Sequence, residues 1–151
     1  MTFATANLAA SLAAYLAPYF PGVTFYPGPN QQGTLPPCMF LQERYSYPEL
    51  QQDGRRRIRV GLDLTYLEDY NLPNMQQLYQ SAVDTLNVVM ETFPYSDGAD
   101  TALLRTYDKE SRIDLDALHY KFEVRVWVSL PETPIMMQTM DYTEDVTNGQ
   151  T

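Results

Sequence analysis

Two stretches of strict alternation constrain this chain more than anything else in it. From Arg57 to Tyr66, the residues Ile58, Val60, Leu62, Leu64 and Tyr66 point one way, and Arg57, Arg59, Asp63 and Thr65 the other. From His119 to Leu130, the residues Tyr120, Phe122, Val124, Val126, Val128 and Leu130 oppose His119, Lys121, Glu123, Arg125 and Ser129. A β-strand sends successive side chains to opposite faces, so both runs predict long strands with one apolar face on a core. Between them, Met75, Leu78, Tyr79, Ala82, Val83, Leu86, Val89, Met90 and Phe93 recur at the three- and four-residue steps of one helix face. Asn71 or Asn74 is placed to cap that helix, with Pro73 at or just before its first turn.

The remaining segments are shorter. Leu8, Leu12, Tyr15, Leu16 and Tyr19 share a helical face, which predicts a helix from Ala4 to Ala17 that stops at Pro18. No Lys, Arg, Asp or Glu precedes Glu43, so the basic region of a secretory signal is missing and a docked amphipathic helix is expected instead. Val23 to Tyr26 reads as a short strand and Pro27 to Pro37 as a turn-rich loop, either an ordinary connection or a reach to a neighbouring subunit. A strand is expected over Cys38 to Tyr47, a connection over Pro48 to Gly54, and a loop from Pro94 to Asp100. Another strand is expected over Ala102 to Tyr107, then a tight connection through Asp108, Lys109 and Glu110, and a short segment around Ile113 to Leu115. Pro131 and Pro134 end the last strand. The expected fold is α+β: an antiparallel-rich sheet packed by two main helices in one domain over residues 1–130, followed by an acidic arm over 131–151.

At 151 residues the chain is long enough for one domain with a real core. Its net charge of −9, from 19 acidic and 10 basic residues, argues against a free-standing nucleic-acid binder, which needs a basic footprint. Arg55, Arg56, Arg57 and Arg59 nevertheless hold four of the ten bases, either as a solvated strand start or as partners for carboxylates of a neighbouring chain. There are twelve tyrosines, a residue enriched where surfaces become buried in complexes, and Tyr45 and Tyr47 lie close in sequence to the arginines. Trp127, the only tryptophan, falls by alternation on the polar face with Lys121, Glu123 and Arg125. It packs there on a cross-strand neighbour or anchors an intermolecular contact. A single cysteine, Cys38, excludes an intrachain disulfide and reads as a buried small hydrophobe. No unbroken apolar run reaches membrane-spanning length, so a soluble, cytoplasmically assembled protein without a membrane partner is expected.

Catalytic equipment is sparse. His119 is the only histidine, with no second histidine or cysteine to complete a metal site. The carboxylates Asp108, Glu110, Asp114 and Asp116 do not follow the calcium-loop pattern. The stretch GPNQQG lacks the lysine of a phosphate-binding loop, and no G-x-S-x-G elbow occurs. Neither a cofactor nor a metal is expected. A small carboxylate-based enzyme centred on Asp108 to Asp116 is the remote alternative, and it would lose activity on Asp114→Asn or Asp116→Asn.

The strings PYFPGVTFYPGPNQQGTLPPCMFLQ, GLDLTYLEDYNLPN, METFPY and RIDLDALHYKFEVRVWV resemble a phage tail terminator family of phages and prophages from Gram-positive bacteria. The resemblance spans roughly residues 15 to 130, and its specificity lies in combined length, since none of the strings is a catalytic motif. It implies a virion subunit that forms a homo-hexameric ring on the head-proximal end of the tail tube and stops tube polymerisation. The implied partners are further copies of itself, the tube protein, a head connector or completion protein and, in a contractile tail, the sheath. DNA would be only passing cargo through the bore, where six copies of an acidic chain disfavour adhesion. Another neck component, a head-completion or connector protein, is the nearest alternative.

Overall fold

The two alternating runs lie side by side at the centre of the molecule, paired antiparallel from Arg56 opposite Val128 to Tyr66 opposite Leu118. The computed structural model describes residues 3–27, 35–50, 55–69, 71–114 and 116–128. Most of the turn-rich loop and the whole expected arm over 131–151 therefore lie outside the described residues. In chain order the elements are helix α1 (Thr5–Leu16), a 3-10 turn (Ala17–Tyr19) and strands β1 (Thr24–Tyr26), β2 (Cys38–Leu50) and β3 (Arg56–Leu67). Helix α2 (Met75–Val89) and strands β4 (Thr92–Ser96), β5 (Thr101–Ile113) and β6 (Leu118–Val128) complete the order. They form one curled six-stranded sheet in the order β1-β2-β3-β6-β5-β4. Every pairing is antiparallel except the short one between β1 and β2. The α+β expectation is met.

Both helices cover the same sheet face. Leu8, Leu12 and Leu16 from α1 and Tyr79, Ala82, Val83 and Leu86 from α2 join Val60, Leu62 and Leu64 of β3 and Tyr120, Phe122 and Val124 of β6 in one core. The large aromatics meet edge-on, with ring centroids 5.4 Å apart for Tyr66–Tyr79 and 6.4 Å for Phe93–Phe122. Buried and half-buried tyrosines also tie elements together through their hydroxyls. Tyr79 accepts from the Glu68 amide at 2.9 Å and donates to the Asp116 carbonyl at 2.9 Å. Tyr120 donates to Asn87 Oδ1 at 3.1 Å, and Tyr15 to the Val89 carbonyl at 2.7 Å, which clips α1 to the end of α2. Cys38 is fully buried, and burial raises its thiol pKa, as its reading as a small hydrophobe requires.

Several boundaries depart from the sequence reading for identifiable reasons. Strand β2 does not stop at Tyr47 but runs through Pro48 to Leu50. β1 covers only Cys38 to Phe40, so among the described residues the rest of β2 is an edge on that side, where a missing N–H is tolerated. Phe93 is not on the helix, which ends at Val89. The residue before a proline favours extended geometry, so Phe93, preceding Pro94, lies in β4. Of the loop expected over Pro94 to Asp100, the first three residues are edge strand, while Asp97 to Asp100 form the turn. The supposed connection at Asp108 to Glu110 is a β-bulge inside one long β5, with Asp108 at a φ of 54°. Tyr19 falls in the 3-10 turn and is 47% exposed, off the buried stripe of α1.

Candidate functional site

The face of the sheet turned away from the helices carries a built polar network. Its geometry starts from a second bulge, where Glu43 faces Leu62 but Tyr45 already faces Gly61. One extra residue on β2 reverses the alternation, so Tyr45, Tyr47 and Glu49 join Arg57, Arg59 and Gly61 on the outer face. Three cross-strand rows result. Tyr45, Gly61, Glu123 and Tyr107 make the first, Tyr47, Arg59 and Arg125 the second, and Glu49, Arg57 and Trp127 the third.

Glu123 is the hub. Its side chain is fully buried, yet Tyr45 donates to Oε1 at 2.8 Å, Arg59 reaches the same oxygen at 2.9 Å, and Arg125 reaches Oε2 at 2.6 Å. Burial alone pushes its carboxyl pKa up, but the hydrogen bonds from Arg59, Arg125 and Tyr45 outweigh it and hold the group at about 2. A buried carboxylate is tolerated only when paired and hydrogen-bonded in this way. Glu49 completes the second layer, at 2.8 Å from Arg57 and 3.8 Å from Arg59. Aromatic rings roof the guanidiniums: Arg55 lies 4.4 Å and Arg57 5.8 Å from the Trp127 ring centre, Arg59 5.7 Å from Tyr47, and Arg125 3.9 Å from Tyr107.

The structure brings together six of the seven residues singled out from sequence. Tyr45, Tyr47, Arg57, Arg59 and Trp127 share the outer face, and Arg55 stacks on Trp127 from just before β3. Arg56 is exposed and by alternation belongs to the helix side. Sequence reasoning passed over Glu123, Arg125, Glu49, Tyr107 and Gly61. The one usable signal was Gly61, an isolated glycine in a strand of large residues, which marks close approach of another group. That group is the Tyr45 ring.

Further along the same face sits the lone histidine. His119 Nδ1 is 3.0 Å from Asp63 Oδ2, and Nε2 is 3.5 Å from Asp114 Oδ2. Thr65 donates to Asp63 Oδ1 at 3.1 Å. With Thr65 only 3% and Asp63 8% exposed, the cluster fastens β3 to β6 and to the turn after β5. Asp114 also pairs with Arg112, and the Asp116 carbonyl holds Tyr79. Among the described residues, no three His, Cys, Asp or Glu side chains gather as a metal site would need, and no helix is long and apolar enough to cross a membrane.

A family model described as phage tail terminator protein matches residues 7–136. The chain belongs to the phage tail terminator family. Among curated proteins, none matches it. This tail terminator is thus a structural protein of the phage tail, acting among other phage proteins. The match takes in all the described helices and strands of the terminator except Thr5 and Ala6 of α1, and runs past Val128, the last described residue.

Proposed function

We propose that this chain assembles as a hexameric ring on the head-proximal end of the tail tube, ends tube polymerisation there and presents the docking surface for the head connector. In a contractile tail the same ring would meet the last sheath layer. The observation that carries this reading is the family match over residues 7–136. The composition of the outer face supports it as the contact surface. Arginine, tyrosine and tryptophan are enriched where subunits meet, and Arg55, Arg57, Arg59, Tyr45, Tyr47 and Trp127 form one continuous surface. A specific contact between neighbours would need to bury at least about 1,000 Å². The net charge of −9 per copy would keep the bore acidic, so that DNA crosses without adhering. Screening limits that repulsion to charges within about 8 Å of the DNA at physiological salt.

Native mass spectrometry of the purified chain, with and without tube protein, tests the assembly. Electron microscopy of tails made without the chain tests termination. The expected results are a six-copy species, rings on tube ends, and overlong tails when the chain is missing. A protein that stays monomeric with tube protein and leaves tail length unchanged would remove the proposal.

A further inference from the structure

We propose that the arginine-rich end of the outer sheet face is a docking site for this chain's own acidic C-terminal arm. The inference concerns the isolated subunit and does not depend on the ring. The charge distribution carries it first. In a chain of net charge −9, Arg57, Arg59 and Arg125 lie on the outer face beside Glu123, and Arg55 stacks on Trp127 at its end. Arg57, Arg59 and Arg125 share two carboxylates, Glu49 and Glu123. Each guanidinium has five N–H donors, so the three retain donors for further acceptors. Beside them Trp127 and Tyr47 are 47% and 53% exposed, large ring surfaces available to cover.

The second support is where the described part of β6 stops. Trp127 faces Arg57 and Val128 faces Arg56, so the last described residues of β6 lie at this patch. The arm beyond it, residues 131–151, contains Glu132, Asp141, Glu144 and Asp145, no base, and the apolar Met136, Met137, Met140 and Tyr142. Extended chain spans about 3.3–3.6 Å per residue, so Glu132 is within roughly 14 Å of Val128 and the Asp141 to Asp145 cluster has ample length to fold back. A short tether presents these carboxylates at an effective concentration on the order of millimolar, well above that of any other copy in dilute solution. Carboxylates on the guanidiniums and methionine or tyrosine on Trp127 match the site in charge and polarity.

Trp127 is the only tryptophan, so its fluorescence reports this patch alone. The test compares the full chain with the full-length variant E132Q/D141N/E144Q/D145N, by acrylamide quenching at about 0.1 M and about 1 M salt, where the Debye length falls from roughly 10 Å to 3 Å. In the wild type, quenching should be roughly twofold weaker at the lower salt than at the higher, and unchanged across a roughly hundredfold dilution, as an intramolecular contact requires. The variant should show the exposed value at both salts. Equal quenching of the two proteins at low salt would overturn the inference. So would protection that disappears on dilution, since a second copy would then be the occupant.

Discussion

The ring of Tyr45 lies flat against the backbone of Gly61: a Cβ at position 61 would stand 2.1 Å from the ring's Cε2. This approach lets the phenol reach across β3 to Glu123 on the next strand. Gly61→Ala is therefore expected to displace the ring and to cost about 1–3 kcal/mol, the usual range for overpacking. In a Tyr45→Ala background the same change should cost much less, because contacting residues couple. Urea unfolding of the two single variants and the double variant measures that coupling, and equal costs in both backgrounds would show that the ring is not the obstacle.

Acid should weaken the fold through Glu123. Its folded carboxyl is held at about 2, whereas an unfolded glutamate titrates near 4.3. A depressed folded value means the stabilisation is fully present above the unfolded one and is lost as pH falls through the folded one, a window of roughly pH 5 to 2. The loss is on the order of 3 kcal/mol. Denaturant midpoints at pH 6 and pH 3 should drop more steeply for wild type than for Glu123→Gln. Parallel curves would place the acid sensitivity elsewhere.

At neutral pH, Glu123→Ala should be among the most damaging changes on the outer face. It strips the shared counterion from Arg59 and Arg125 and leaves their guanidiniums facing one another across paired positions of β3 and β6. Breaking a buried pair by removing one partner typically costs about 3–5 kcal/mol. Thermal unfolding checks this, and a loss below about 1 kcal/mol would match an exposed ion pair instead.

Trp127→Ala separates folding from assembly. The ring is half exposed and its contact with Arg55 is of the surface kind, so stability should change by no more than about 1 kcal/mol. If the outer face joins copies, association should weaken by about 2 kcal/mol or more, the range of an interface anchor. Calorimetry and sedimentation on the same preparation read the two quantities.

Tyr79→Phe tests the internal ties. The change leaves the ring in the core but removes the acceptor of the Glu68 amide and the donor to the Asp116 carbonyl. A cost of about 1–3 kcal/mol is expected from the orphaned groups, with amide exchange at Glu68 accelerated.

The two central strands and both helices were legible because periodicity survives wherever one face is buried. Val60 to Tyr66 and Tyr120 to Val126 alternate without interruption, and Leu8 to Leu16 and Tyr79 to Leu86 keep helical steps. The bulges were not legible. Each inserts one residue into a strand, and neither Arg44 nor Asp108 carries a turn signature that sets it apart from a connection. The outer face obeyed the same rule. Its arginines and Trp127 stand out by type, but Glu123 looked like one more outward carboxylate. Only the register places it under Tyr45 and between two guanidiniums.

Pro48 and Pro94 sit on strands at opposite sides of the sheet, in β2 beyond its pairing with β1 and in β4. A proline offers no amide hydrogen, so among the described residues each border carries a gap in the ladder that an incoming strand would need. Backbone zippering, which has no natural stopping point, is thereby discouraged at both margins. For a protein of the family that brings tails to their finished length, borders that refuse further strands suit the task.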